Sequence, residues 1–167
     1  MILKGKAHLL GDDINTDYII ASKHRSLGLN FKEMAKHLLE DLDPQLAGRI
    51  REGDFLVAGK NFGCGSSREF APLVIQEAGI KAVMARSYAR IFYRNALNIG
   101  LCLLEADTRE LRDGDELQLD LDRWVADDRT RNFTTPLTRL PPFMSQILRD
   151  GGLVAHFKKW GGFHLAG

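Results

Sequence analysis

The strongest limit on the fold is a run of alternating segments between residues 54 and 106. FLVAG, SREFAPLVIQEAG, KAVMA, SYARIFYRNALN and LCLLEA alternate short apolar runs with stretches whose apolar residues follow helical spacing. Short continuous apolar runs suit strands buried on both faces. Connections of this length make such strands parallel, with helices laid across the sheet. The pattern predicts an α/β fold with a βαβαβ core. Loops that follow parallel strands gather at the carboxyl edge of the sheet, where open α/β folds take their ligands. NFGCGSS and the pair Arg86-Ser87 both fall on that edge.

The flanks read less firmly. An apolar run through His8 to Leu10 predicts a strand, GDDINTD a tight loop, and YIIAS a second extended piece. Phe31, Met34, Ala35, Leu38 and Leu39 follow i, i+3, i+4 spacing and predict an amphipathic helix from Asn30 to Leu42. Leu117, Leu119 and Leu121 alternate as in a half-exposed strand, which RNFTTPL is expected to pair. A short helix is expected from Phe143 to Arg149, then LVAHF as a returning strand. Residues 160–167 read as a tail, poorly ordered or packed on a partner. No repeat or linker divides the chain, so residues 1–167 are expected to form a single domain.

Composition excludes more than it suggests. A formal net charge of +1 gives no electrostatic reason for nucleic acid or a membrane surface as partner. The arginines and aromatics of RSYARIFYRNALN are therefore assigned to a crossover helix capped by Ser87. Arg86, Ser87, Arg90 and Asn95 are candidates for the cleft or a subunit contact. No stretch has the roughly 20 apolar residues of a membrane span, and MILKGKAHLLGDD lacks the features of a leader, so a cytoplasmic protein is expected. Cys64 and Cys102 form no CxxC pair, and the five histidines show no metal-ligand spacing.

NFGCGSSREFAP admits two readings. Ser66 followed by Glu69 fits a capping box, with Phe70, Leu73 and Val74 as the buried stripe of the helix. That leaves Arg68 in a first helical turn, where the helix dipole disfavours a cation by about 0.3–1 kcal/mol. It also leaves Gly63 and Gly65, which allow positive φ and close backbone approach to a ligand. Amide groups at a helix start, two flexible glycines and an arginine make a cradle for a carboxylate. The stretch is neither a nucleotide-binding P-loop nor the G-x-S-x-G of serine hydrolases.

GDDINTDYII, GKNFGCGSSREFAP and ARSYARIFYRNALNIGL stand in order across residues 5 to 105, with a weaker echo in RDGGLVAHFKKW. These blocks resemble the small subunits of the aconitase family, particularly those of 3-isopropylmalate dehydratases and their homoaconitase relatives. The resemblance implies a swivelling β/β/α domain that closes over a [4Fe–4S] cluster held by three cysteines of a large subunit. It implies a hydro-lyase that interconverts two hydroxy-diacid isomers by dehydration and rehydration. Ser66 would be the base, and Ser67, Arg68 and Gly65 would bind substrate carboxylate. Thr16 and Asp17 would lie in the same cleft, with Asp17 supporting the serine or the arginine. Lys23, His24 and Arg25 are candidates for the distal end of the substrate, with Arg25 preferred. Phe70 departs from the histidine that commonly follows SSRE in bacterial members. With only two cysteines the chain is expected to be inactive alone and to need its large subunit. The expected substrate is isopropylmalate. Homoaconitate, methylmalate and dimethylmalate are alternatives, and a non-catalytic carboxylate-binding module is the alternative from another class.

Overall fold

The computed structural model describes residues 1–164. The chain opens with strand β1 (Ile2–Leu9), followed by four short helices: α1 (Thr16–Ile19), α2 (Ser22–Ser26), α3 (Phe31–Ala35) and α4 (Leu46–Arg49). Next come β2 (Phe55–Val57), α5 (Ala71–Glu77), β3 (Ala82–Ala85), α6 (Arg90–Ile99) and β4 (Cys102–Glu105). This is the predicted βαβαβ core. Strands β5 (Glu116–Asp120), β6 (Val125–Asp128) and β7 (Phe133–Pro136) follow, then helices α7 (Pro142–Arg149) and α8 (Leu153–Trp160).

The seven strands form one sheet in the order β4-β3-β2-β1-β5-β6-β7. Strands β1 to β4 are parallel neighbours, whereas β5 to β7 are antiparallel. Strand β1 belongs to both halves. Its residues Ala7 to Leu9 pair with Phe55 to Val57, and Ile2 to Lys6 pair with Asp120 to Glu116.

Alternation along the parallel strands makes two cores. Leu56, Val83 and Leu103 point to the face covered by α3, α5 and α6. Phe55, Val57, Met84 and Leu104 point the other way and share a cluster with Leu117, Leu119 and Ala126 of the antiparallel half. The sheet is thus covered on one face by helices and on the other by its own antiparallel extension, a β/β/α arrangement. Burying a side chain such as Leu56 or Leu104 stabilises the fold by about 1.5–3 kcal/mol.

Several flanking elements differ from expectation. YIIAS is extended only at Ile20 and Ala21, between two short helices: Tyr18 and Ile19 belong to α1, which is capped by Asn15, whose side chain accepts from the Tyr18 amide at 3.0 Å. The expected helix from Asn30 to Leu42 stops at Ala35. Leu39 turns out of it with φ 57°, and its amide donates to the Ile19 carbonyl at 3.0 Å. Leu38 and Leu39 are both fully buried in the turns that follow. RNFTTPL forms β7 but pairs with β6, an element the leucine pattern did not show. LVAHF is the start of α8, because Leu153, His156, Phe157 and Trp160 follow helical spacing once a longer window is read. Of the expected tail, Trp160 ends α8 and Phe163 packs edge-on against Phe143 and Phe157. Residues 165–167 lie outside the described residues.

Candidate active site

Three loops meet at the carboxyl edge of the parallel half. The loop after β1 runs beside the loop after β2: the Gly63 amide donates to the Ile14 carbonyl at 2.7 Å, and the Thr16 amide to the Cys64 carbonyl at 2.9 Å. The loop after β3 joins from the other side, where the Phe62 amide donates to the Ser87 carbonyl at 3.0 Å. Ser87 was expected to cap α6 but does not: Ala89 holds that position, and Ser87 Oγ accepts from the Asn61 amide at 2.9 Å. Asp12 ties all three loops, accepting from the Lys60 amide at 2.7 Å and from Arg86 at 2.6 Å. The Lys60 amide and the Arg86 guanidinium hold its carboxyl below the usual value.

Gly63 and Gly65 have φ of 78° and 89°, so the positive-φ reading of this loop holds. Gly63 is also forced by contact, since a Cβ there would lie 2.2 Å from the Phe92 ring.

The capping box does not form. Helix α5 begins at Ala71 with Phe70 in the cap position, so Ser66 to Arg68 are loop residues and Arg68 is outside any helical turn. Pro72 is the reason. It lacks an amide hydrogen and its ring clashes one turn back, so it is tolerated only in a first turn. Had Ser66 capped the helix, Pro72 would have stood in the interior. The dipole argument for Arg68, and the cradle of helix-start amides, therefore fall away.

Direct contacts replace them. Thr16 Oγ1 donates to the Ser66 carbonyl at 2.7 Å and lies 3.3 Å from Ser66 Oγ. Arg68 Nε donates to Ser66 Oγ at 3.3 Å, Nη1 donates to the Ile20 carbonyl at 2.9 Å, and Nη2 pairs with Asp17. Of the five guanidinium hydrogens, two remain for a ligand. Thr16, Gly65, Ser66, Ser67 and Arg68 line a cleft of about 310 Å³. Its opposite wall is the start of α6, including Arg90, Ile91 and Asn95. Apolar character alone would group Ile91 with Phe92 and Ala96 on the packed face, yet Ile91 is exposed. It stands one turn before Asn95 on the cleft side, a spacing that could have separated it from the buried Phe92 and Ala96.

The structure brings together six of the seven expected site residues and leaves Arg25 apart. Asp17 reaches the cleft by its pairing with Arg68, whereas Arg25 is exposed on α2 with its guanidinium over the Phe70 ring, 4.9 Å from the centroid. Lys23 and His24 are engaged by Glu40.

The cysteines do not fit an iron–sulfur cluster. Cys102 is buried in β4, where desolvation pushes its thiol up to about 12. Cys64 is half-buried at the cleft loop, its thiol raised by desolvation and by the Asp13 charge. Such a cluster needs several thiolates converging on one point.

A β/β/α sheet with a serine, a threonine and an arginine at its carboxyl edge defines a class, and the chain matches the Aconitase C-terminal domain family over residues 34–109. It is 49% identical to the 3-isopropylmalate dehydratase small subunit 2 of Archaeoglobus fulgidus, over 96% of this chain and 98% of that protein. It is 46% identical to the 3-isopropylmalate dehydratase small subunit of Moorella thermoacetica, over 93% and 95%. The crystal structure of a 3-isopropylmalate dehydratase from Methanocaldococcus jannaschii superposes with a TM-score of 0.91 at 45% identity, covering 95% of each chain. The chain belongs to the family of 3-isopropylmalate dehydratase small subunits.

Proposed function

We propose that this chain is the small subunit of a two-subunit hydro-lyase that interconverts 2-isopropylmalate and 3-isopropylmalate by dehydration and rehydration. The observation that carries the reading is the placement of Ser66 Oγ at the cleft, 3.3 Å from both Arg68 Nε and Thr16 Oγ1. Serine is a poor base unless its deprotonated form is stabilised. The Arg68 guanidinium supplies that charge, and the Thr16 hydroxyl fixes the loop that carries the serine.

In this reading Ser66 removes the proton beside a substrate carboxylate and returns it in rehydration. The two spare guanidinium hydrogens of Arg68 and the Ser67 hydroxyl grip the carboxylate, and Gly65 keeps the approach clear of side chains. Asp17 positions Arg68. Arg25 stands outside the cleft with its guanidinium over the Phe70 ring, and it is assigned no contact with the substrate. The cysteines of the large subunit would hold the [4Fe–4S] cluster, which would supply Lewis-acid chemistry toward the substrate hydroxyl once the two chains are joined.

The test mixes this chain with a cluster-reconstituted large subunit under anaerobic conditions and follows the ultraviolet absorbance of the unsaturated diacid. The panel includes isopropylmalate, homoaconitate and methylmalates. Turnover that needs both chains and is fastest with isopropylmalate is expected. No turnover on any diacid, with cluster and complex both verified, overturns the proposal in favour of a carboxylate-binding module.

A further inference from the structure

Away from the cleft, the fold gathers two histidines and a glutamate that are scattered in sequence. His24 comes from α2, and His37 and Glu40 from the turns after α3. One donor atom from each lies within 4.8 Å of the others, the one such group of histidine, cysteine and acidic residues among the described residues. His24 Nε2 is 2.5 Å from Glu40 Oε1, and His37 Nδ1 is 2.7 Å from Glu40 Oε2. The two rings lie parallel, 4.1 Å apart, which turns these nitrogens to the same carboxylate.

The geometry points to a divalent transition-metal site of the zinc class, formed by His24 Nε2, His37 Nδ1 and a Glu40 carboxylate oxygen. Two imidazoles and a carboxylate are a donor set that suits such ions, with water completing the tetrahedron. Donors around tetrahedral zinc stand about 3.3 Å apart, so the two histidine–glutamate contacts need to open by less than about 1 Å while the widest donor separation, up to 4.8 Å, closes onto the ion. The backbone behind them is already fixed: the Glu40 amide donates to the His37 carbonyl, and the Leu39 amide to the Ile19 carbonyl.

Burial and access both bear on a ligand here. The His24 side chain is only 6% exposed, so its Nε2 meets Glu40 away from bulk water. Its Nδ1 has no partner among the described residues, which leaves the Glu40 edge as the ring's one polar contact there. The His37 side chain is 38% exposed and provides an entry path. Lys23 is the competitor. Its ammonium lies 3.1 Å from Glu40 Oε1, but the side chain is 61% exposed and free to swing into water. In the absence of an ion it is the mobile countercharge of Glu40. Bound metal would clamp α2 to the turn at residues 36–40, and α2 is the element that holds Arg25 over Phe70.

The site is independent of the dehydratase reading and is tested without activity. Untagged full-length chain, stripped with chelator, is titrated with zinc chloride by calorimetry and separately with cobalt(II) followed by visible absorbance. Saturable uptake of one ion per chain is expected, with a tetrahedral cobalt spectrum lacking a thiolate charge-transfer band. His37→Asn and Glu40→Gln, each checked for folding by circular dichroism, should weaken uptake by at least about tenfold. Lys23→Met should tighten it. Failure to saturate at one ion, uptake unchanged in folded His37→Asn and Glu40→Gln, or a thiolate band that moves the ion to Cys64 would overturn the assignment.

Discussion

Arg68 reaches Ser66 through Nε at 3.3 Å while Asp17 and the Ile20 carbonyl fasten the other end of the guanidinium. The arginine therefore spans from α1 to the serine loop, and its planar fork is what allows the three contacts at once. Ser66→Ala should lower kcat of the assembled enzyme by about 10²–10⁴-fold while leaving substrate binding nearly intact. Arg68→Lys keeps a charge but cannot make the same contacts, and kcat/KM should fall by about 10²–10³-fold. Steady-state kinetics and equilibrium binding of the unreacted diacid check both.

Asp17→Asn separates charge from shape. The Asp17 side chain is 57% exposed, so loss of the ion pair should cost less than about 1 kcal/mol of stability. If Asp17 positions Arg68, the kinetic loss should be larger than that, up to about 10²-fold. Urea denaturation of the isolated chain and kinetics of the complex read the two effects apart.

Gly63→Ala places a methyl group against the Phe92 ring and strains a backbone at φ 78°. It should destabilise the chain by about 1–3 kcal/mol. Phe92→Ala on the same background should relieve the clash but not the strain, so a double-mutant cycle in urea should show favourable coupling.

The end of the chain should respond to acid. Asp150 is 1% exposed at its side chain and accepts from Lys159, Gln146, His156 and Trp160. The His164 amide donates to His156 Nε2, so the imidazole proton sits on Nδ1 and points to Asp150. The Lys159 ammonium, with the other donors, holds the Asp150 carboxyl well below its usual 3.8 against the opposing effect of desolvation. A depressed folded pKa contributes stability that is fully present above the unfolded value and is lost as pH falls through the folded one. Urea midpoints should therefore drop below about pH 4, and Asp150→Asn should flatten that part of the profile while lowering stability at pH 7.

The two thiols should differ sharply toward iodoacetamide. Cys102, pushed up to about 12 in its buried strand, should label only on unfolding. Cys64, half-buried and raised by desolvation and Asp13, should label in the native state but more slowly than a free thiol. Peptide mass spectrometry over time checks the order.

Strands β2 to β4 were legible because each is a continuous apolar run, and such runs between helical segments admit few folds. What was lost was lost to context. Leu39 leaves its helix for a hydrogen bond to Ile19, a partner 20 residues away that no periodicity reports. Ser66 and Glu69 match a capping box, yet Pro72 decides where α5 starts, and it was readable in the same line. The serine, the arginine and the threonine of the cleft were named correctly as neighbours, but the reason given for Arg68 was wrong: it is held by an aspartate and a carbonyl rather than set against a dipole. The His24, His37 and Glu40 cluster was invisible in spacing because a loop between α2 and α3 folds the first histidine back onto the other two.

Strand β1 lies at the centre of the finished sheet and is synthesised before both of its neighbours. One of its neighbours is 46 residues downstream of its far end and the other begins more than 100 residues later. The loop that carries Thr16 and Asp17 hangs from this strand, so its final position waits for partners made much later. Nascent chains cut short before β5 should thus hold the β1 edge unpaired, and that edge is where a chaperone or a second nascent chain has its opening.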